Sequence, residues 1–359
     1  TGDVLVVAGR IADEVLFPAA QEVDRSDRVP AGHLAELAAA GLFGVAGPPA
    51  TGESDIDVAT FRRLFATIAG GCGATFFVWA QHHGVLRTVA TSLNERLRRE
   101  LLPKMCAGQT IAGVAFAHLR RAGPSAVGAE RVDGGWRIHG HAPWATSWGI
   151  ADLFAVAAES EQGEVVWALL RGPTSIDVRS IDGAGVTASP LALPVLTATS
   201  TVALTFDGWF VPEDDVLAIE NSSEWRRADR VRASIGQTAV IGVAERAIRL
   251  VEESSTDDAA FEAADRLRRD LDRRWADETE LLAALGSGGP TVDAAIAQAS
   301  AHRAACLVLG QRATTAYLAS VGGRGMELGH PAQRLARESD FYVIQAQTAD
   351  GRAGTLRSI

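Results

Sequence analysis

Apolar positions along the first hundred residues recur at helix spacing. Val4, Val7, Ile11 and Val15 fall on one face, and Phe61, Leu64, Phe65 and Ile68 form an i, i+3, i+4, i+7 stripe, the period at which side chains stack on one side of an α-helix. Pro30 and the Gly-Pro-Pro at 47–49 punctuate these helices. From Thr110 to about Pro212 the pattern changes to short segments between turn residues. In ERVDGGWRIHG at 130–140, Asp133-Gly134 marks a hairpin between two alternating strands. After Asp215 helix spacing returns. Leu267, Leu271 and Trp275 mark one highly charged helix; Ile296, Ala299, Cys306, Gly310, Tyr317 and Val321 mark another, with GSGGP at 286–290 as the loop between them. The pattern predicts an α+β multidomain chain: an N-terminal helical domain over 1–109, a middle β domain over 110–215 and a helical C-terminal domain over 216–359.

Composition narrows the function classes. A chain of 359 residues is long enough for two or three packed units. A formal charge of −10 without a dense cationic face excludes an electrostatic grip on nucleic acid or anionic lipid. Cys72, Cys106 and Cys306 are odd in number and lack CxxC spacing, which points to neither a disulfide framework nor a zinc site and fits a reducing cytoplasm. No segment approaches the run of about 18 apolar residues that crosses a bilayer, and the first residues lack a signal-peptide profile, so a soluble protein without a membrane partner is expected. His139 and His141 alternate on one strand face without a third ligand nearby, so a solvated face is expected there and no metal. Arg266, Arg268, Arg269, Arg273 and Arg274 interleave with Asp265, Asp270 and Asp272, the pattern of an exposed helix laced with ion pairs.

Five segments, in order, resemble those of the acyl-CoA dehydrogenase family. They are LAELAAAGLFGVAGPP at 34–49, FFVWAQHHGVLRTVA with LLPKMCAGQTIAGVAF, PWATSWGIADLFAVAA at 143–158, LTFDGWFVPEDDVL at 204–217, and LASVGGRGMELGHPAQRLARES at 318–339. The resemblance covers almost the whole chain. It implies an N-terminal helical domain, a middle β-barrel-like domain and a C-terminal four-helix bundle. FAD would be held between the middle domain, the bundle and a neighbouring subunit, which makes a homo-oligomer, dimer or tetramer, part of the site.

In that family a carboxylate removes the α-proton of an acyl thioester while flavin N5 accepts hydride from the β-carbon. Counting without gaps from Gly322, Gly323 and Pro331 puts Ala346, Gln347 and Thr348 where the family has its glutamate, glycine and threonine. Alanine accepts no proton. Counting back from Gly242 puts Arg232 at the family's second base position, and arginine stays protonated. Glu338 or Asp350 would reach the same point only with a rearranged backbone.

The resemblance also places the flavin contacts. The family's threonine and glutamate, with the glycine-serine-aspartate turn that follows, correspond to His118, Leu119 and Gly123-Pro124-Ser125. Pro124 has no N–H for a phosphate or ring oxygen. His118 would hydrogen-bond flavin near N5 or O4, or is simply a capped polar group at a strand end. Trp144 and Thr146 match the ring-stacking and hydroxyl positions, the threonine donating to a ring atom; a tryptophan on an alternating strand is also an ordinary core residue. Gly322 and Gly323 match the glycine pair that approaches the pyrophosphate of FAD in an adjoining subunit, although glycines also end helices. Thr348 completes the cofactor set. Ala319 replaces the family's glutamine before that turn, and EESSTDDAAFEAADRLRR at 252–269 stands where its arginine and phenylalanine-glycine would be.

The function expected from this resemblance is an FAD-dependent oxidoreductase for the α,β-dehydrogenation of an acyl thioester, passing electrons to an electron-transfer flavoprotein. It would be atypical or weak, because general-base catalysis alone is commonly worth about 10²–10⁴ in rate. The alternatives are a flavin-dependent monooxygenase or oxidase of the same fold, served by a flavin reductase, and a non-catalytic subunit of a mixed oligomer with a homologue.

Overall fold

The computed structural model describes residues 2–48, 56–121, 123–181, 183–235, 238–286 and 291–358; Pro49 and residues 287–290 of the two loops expected above lie outside them. The first rod runs as α1 (Gly2–Arg10), a π-helical segment (Ile11–Leu16) and α2 (Phe17–Val23). It is followed by α3 (Ala31–Ala39), α4 (Val58–Gly71), α5 (Gly73–Thr91) and α6 (Glu95–Cys106). Local chemistry sets several ends. The Asp57 carboxylate accepts the Thr60 N–H at 2.7 Å and the Asn94 side chain accepts that of Leu97 at 3.1 Å, capping α4 and α6. Cys72, in an extended conformation, separates α4 from α5.

Among the described residues, the middle segment holds nine strands, β1 (Ala112–Ala115), β2 (Val127–Val132), β3 (Gly135–Ala145), β4 (Leu153–Ser160), β5 (Glu164–Arg171), β6 (Ser180–Ile181), β7 (Val186–Pro190), β8 (Val202–Pro212) and β9 (Val216–Asn221). The expected hairpin is β2–β3, with Val132 opposite Gly135 and Gly134 at φ 74°. The expected middle β domain is present, and its sheet is open. Its order is β6-β7-β8-β3-β2-β4-β5-β9, with β1 alongside β4, and the path ends at two different edges. Its strands β4 and β5 are buried on both faces. Phe154, Val156, Val166 and Leu170 face the sheet's own core with Trp136, Trp148 and Phe206, whereas Leu153, Ala155, Trp167 and Leu169 pack on α5, α6 and Trp225. Residues 216–221, read from sequence as helical, form β9 on β5, and helix resumes only at Ser222.

The C-terminal part contains α7 (Ser222–Ile235), α8 (Thr238–Ser254), α9 (Asp258–Gly286), α10 (Val292–Val321), a 3₁₀ turn (Gly322–Met326), α11 (Pro331–Ile344) and α12 (Ala349–Ser358). Helices α8 to α11 pack as four, and α7 and α12 lie against α10. The arginine-rich helix α9 carries the expected ion pairs: Arg269 with Asp265, Arg274 with Asp270 and Asp277, and Arg268 with Glu252 of α8. Among the described residues, no helix is long and apolar enough to cross a membrane.

One core unites the N-terminal helices with α8 to α11, and α5 connects it to the sheet. Residues of α5 up to Trp79 belong to the helical core, and Val85, Leu86 and Val89 to the layer under β4 and β5. The crossing of α4 over α8 is closed by two glycines. A Cβ on Gly242 would lie 1.9 Å from the Ala66 carbonyl oxygen, and one on Gly70 would lie 2.8 Å from that of Gly242. Backbone atoms cannot yield as a side-chain tip can, so Gly242→Ala should destabilise the protein by about 3 kcal/mol or more. Gly323→Ala, whose Cβ meets nothing within 4 Å, should stay within about 0.5 kcal/mol. Denaturant unfolding of the two variants beside the parent checks this contrast.

Candidate functional site

Among the described residues, four non-glycine residues have positive φ: Ser147 at 77°, Leu196 at 56°, Ser200 at 49° and Ala346 at 52°. Such conformations cost of order 1–3 kcal/mol each and persist where surrounding structure over-determines them. Three of them meet. At the end of β3 the Ser147 N–H donates to Thr199 O at 2.8 Å and the Trp148 N–H to Ser200 O at 3.1 Å, which joins the strand end to the turn 195–201. Leu196 of that turn enters the helical core beside α5, where a Cβ on Gly73 would come within 3.0 Å of its side chain.

Several polar side chains gather on this wall. Trp144 is 39% exposed, leaving ring surface for a flat partner. Thr146 is buried, with its Oγ1 3.2 Å from Thr201 Oγ1. Thr201 Oγ1 is 2.9 Å from Thr199 Oγ1, which donates to Leu196 O at 2.7 Å. The buried Ser147 hydroxyl has no hydrogen-bond partner among the described residues. Trp144 and Thr146 were expected from the sequence, whereas Ser147, Thr199 and Thr201, which the structure brings beside them, were not; the signal for them was the alternation of threonines in TATST at 197–201.

His118 lies in a 3₁₀ turn after β1, buried, with Nε2 donating to Ala157 O on β4 at 2.9 Å and Nδ1 without a partner among the described residues. Burial lowers its pKa to about 4, so the ring is neutral at ordinary pH. His139 Nδ1 accepts the Gly208 N–H at 3.1 Å, and His141 Nδ1 is 3.2 Å from Thr205 Oγ1, so each is engaged by β8 on the solvated face.

The connector Gln345–Thr348 between α11 and α12 carries Ala346. Thr348 Oγ1 accepts the Gly351 N–H at 3.1 Å and caps α12. The fully buried Arg303 of α10 donates to Ala233 O at 3.4 Å, Tyr342 O at 3.5 Å and Gln345 O at 2.8 Å, joining the C-terminal ends of α7 and α11. Burial pulls its pKa down to about 10. Arg232 is exposed on α7. One turn earlier on the same helix, Asp229 is buried and gripped by Arg120 through two bonds of 2.7 and 2.9 Å; neither Asp229 nor Arg303 was found from sequence, because only the fold gives them their partners.

Neither substitute carboxylate stands free. Glu338 is buried in the helical core, 2.7 Å from Arg334 Nη1 and next to Gly73 at the start of α5; burial pushes its pKa up. Asp350 accepts from Arg230 at 3.0 and 3.4 Å. Gly322 ends α10 at φ 64°, and Gly322 and Gly323 are both exposed, with Met326 and Leu328 beside them 67% and 66% exposed.

The buried histidines set an acid limit. His118 and His82 are depressed to about 4 and His83 well below its ordinary value, burial being the leading cause for each. Below pH 6.5 the unfolded chain takes up protons that the folded one refuses. Stability present above pH 6.5 is therefore lost as pH falls toward 4, by roughly 3 kcal/mol for each histidine held at about 4. Unfolding followed from pH 7 to 4 should show this decline, and His118→Asn should make it shallower by one such share.

Residues 5–109 match the model of the acyl-CoA dehydrogenase N-terminal domain. Benzylmalonyl-CoA dehydrogenase of Aromatoleum aromaticum is 30% identical over 224 residues, 59% of this chain and 55% of that protein. The chain spans about half the length of the curated relatives it matches. Among solved structures, a glutaryl-CoA dehydrogenase from Mycobacterium smegmatis in complex with FADH2 aligns with TM-score 0.84 at 16% identity, over 99% of this chain and 93% of that one. The FAD complex of PigA aligns with TM-score 0.82 at 15% identity, over 99% and 96%. At such identities the structural likeness establishes the fold. Together, these findings give the chain an acyl-CoA dehydrogenase N-terminal domain at residues 5–109 and the acyl-CoA dehydrogenase fold over nearly its whole length.

Proposed function

We propose that the protein is an FAD-dependent oxidoreductase that acts on an acyl thioester, with the flavin ring seated against Trp144–Ser147. The observation that carries this reading is the convergence of strain and hydroxyls at one strand end. Ser147, Leu196 and Ser200 are held in left-handed conformations around an exposed indole and a buried threonine hydroxyl. Residues on the ring side fit the group: Trp144 supplies a stacking face, Thr146 a hydroxyl, and the unpartnered Ser147 Oγ and His118 Nδ1 spare polar capacity. The dinucleotide side is poorer, since Pro124 offers no N–H and Ala319 no side-chain amide. When bound, FAD would supply the two-electron chemistry. The protein would supply stacking, a fixed hydroxyl and a dry wall behind the ring.

Proton abstraction is the deficient step. Ala346 and Arg232 occupy the positions that the family resemblance assigns to the base, and Glu338 and Asp350 are committed to Arg334 and Arg230. Thioester oxidation should therefore be slow. That deficiency favours a second reading, an oxidase or monooxygenase using reduced flavin and oxygen, for which no carboxylate is required. An electron-transfer flavoprotein would serve the first reading and a flavin reductase the second. The exposed Met326 and Leu328 beside Gly322 and Gly323 support a subunit contact there. Buried, reduced Cys72 and Cys306 fit a cytoplasmic setting. Domain limits of 1–109, 110–215 and 216–359 are retained as a working division, with residues 216–221 lending their strand to the sheet.

The test is direct. Purified protein incubated with FAD should take up the flavin; anaerobic bleaching by a panel of acyl thioesters supports dehydrogenation, and oxygen use that requires an added flavin reductase supports the second reading. A protein that takes up no FAD is a non-catalytic subunit in this scheme. Ala346→Glu should raise thioester-dependent flavin reduction by about 10²-fold. An unchanged rate in a variant that still holds FAD would count against an intact acyl pocket.

A further inference from the structure

We propose that Thr201 is a positioning residue that fixes Thr146 as a hydrogen-bond acceptor, so that the flavin seat holds the reduced ring, whose N5 bears a hydrogen, more tightly than the oxidised ring. This rests on the flavin reading above and deepens it. The inference comes from counting protons along a buried chain of hydroxyls. Each threonine hydroxyl has one hydrogen to give, and a carbonyl has none. Leu196 O lies 2.7 Å from Thr199 Oγ1, so the Thr199 hydrogen is spent there. Thr199 Oγ1 is then free only to accept, and the hydrogen in its 2.9 Å contact comes from Thr201. Thr201 Oγ1, its own hydrogen given away, accepts from Thr146 across 3.2 Å. What remains on Thr146 for a ligand is a lone pair.

The direction of the chain is built into the backbone. Leu196 O is oriented by a residue held at φ 56°, with its side chain in the helical core beside Gly73. The far end is pinned by the Ser147 N–H bond to Thr199 O at 2.8 Å. Thr146, Thr199 and Thr201 are all buried, so water does not reset their hydrogens. Running the chain in reverse would turn two oxygens toward each other at 2.7 Å with no hydrogen between them. The sequence-based expectation that Thr146 donates to a ring atom is thereby inverted.

The inference predicts a redox signature. Thr201→Val keeps the shape of the side chain and removes the acceptor, which frees the Thr146 hydrogen for the oxidised ring. The ratio of the dissociation constants of oxidised and reduced FAD should move about tenfold toward the oxidised form, lowering the midpoint potential of bound FAD by about 30 mV for a two-electron couple. Thr201→Ser, which retains the hydroxyl, should keep the parent potential. Thr146→Val, a second variant that deletes the acceptor itself, should also lower it. Potentials are read by anaerobic dithionite titration of the FAD-loaded proteins against an indicator dye. Equal potentials in the parent and both valine variants, with FAD bound in all, would overturn the acceptor assignment while leaving the flavin seat intact. Failure of the parent to quench the fluorescence of added FAD would overturn the seat itself and this inference with it.

Discussion

The docking of the turn 195–201 into the helical core is the contact on which the site depends. This turn belongs to the β domain by sequence and to the helices by packing. Val195, Leu196 and Ala198 are buried in the helical core. Arg337 of α11 donates to Pro194 O at 2.8 Å, and Ser200 Oγ donates to Asp27 O, after α2, at 2.6 Å. Three separate elements thus hold a few residues in place. That over-determination is what lets Leu196 and Ser200 stay in conformations that ordinary side chains avoid, and through the bonds from Ser147 and Trp148 it transmits the same constraint to the end of β3.

Polar burial follows the same geography. Arg334 and Glu338 form a fully buried ion pair behind the turn, with Arg334 also bound to Gln21 of α2 at 2.9 Å. A buried pair of this kind adds little net stability, because desolvation offsets its attraction, but loss of either partner leaves an unpaired charge in the core. Its structural effect is registry: it binds α2 and α11 together and, through Glu338, faces the first turn of α5, where the helix amides favour negative charge. Arg303 does the opposite job at helix C-termini, placing one cation among three carbonyl oxygens.

Much of the architecture was legible in sequence because it is written in local signals. Asp133-Gly134 dictates a two-residue hairpin turn, the alternation of acid and base along 265–274 dictates an exposed helix, and helix periods frame both ends of the chain. The covering of both faces of β4 and β5 was not legible, since it depends on α5 and α6 arriving from elsewhere. Nor was β9, whose short run VLAIEN follows the 3₁₀ turn Glu213–Asp215 and earns its strand only by pairing with β5. At the candidate site, the resemblance points to Trp144 and Thr146, but the direction of the Thr146 hydrogen is not legible in sequence, because on the inference above it is decided by Leu196, fifty residues away and strained by packing. Asp229 and Arg303 escaped for a similar reason: a charged residue on a helix reads as solvated until the fold supplies its partner.

Ala346 shows how far scaffold and chemistry can separate. It keeps a left-handed backbone at φ 52° although alanine gains nothing from that conformation. The strain is sustained from both sides, by Arg303 holding Gln345 O and by Thr348 starting α12 two residues later. A backbone held this way would aim whatever side chain it carried in one direction, so the aim is a property of the surrounding fold and the proton acceptor is a property of one side chain. The latter can be lost without disturbing the former. The wall at Trp144–Ser147 is constrained by another set of contacts that involve neither Ala346 nor Arg303. On the reading proposed above, a flavin seat and a base position governed by independent constraints can diverge independently, so a seat at Trp144–Ser147 without a carboxylate at position 346 is a coherent arrangement.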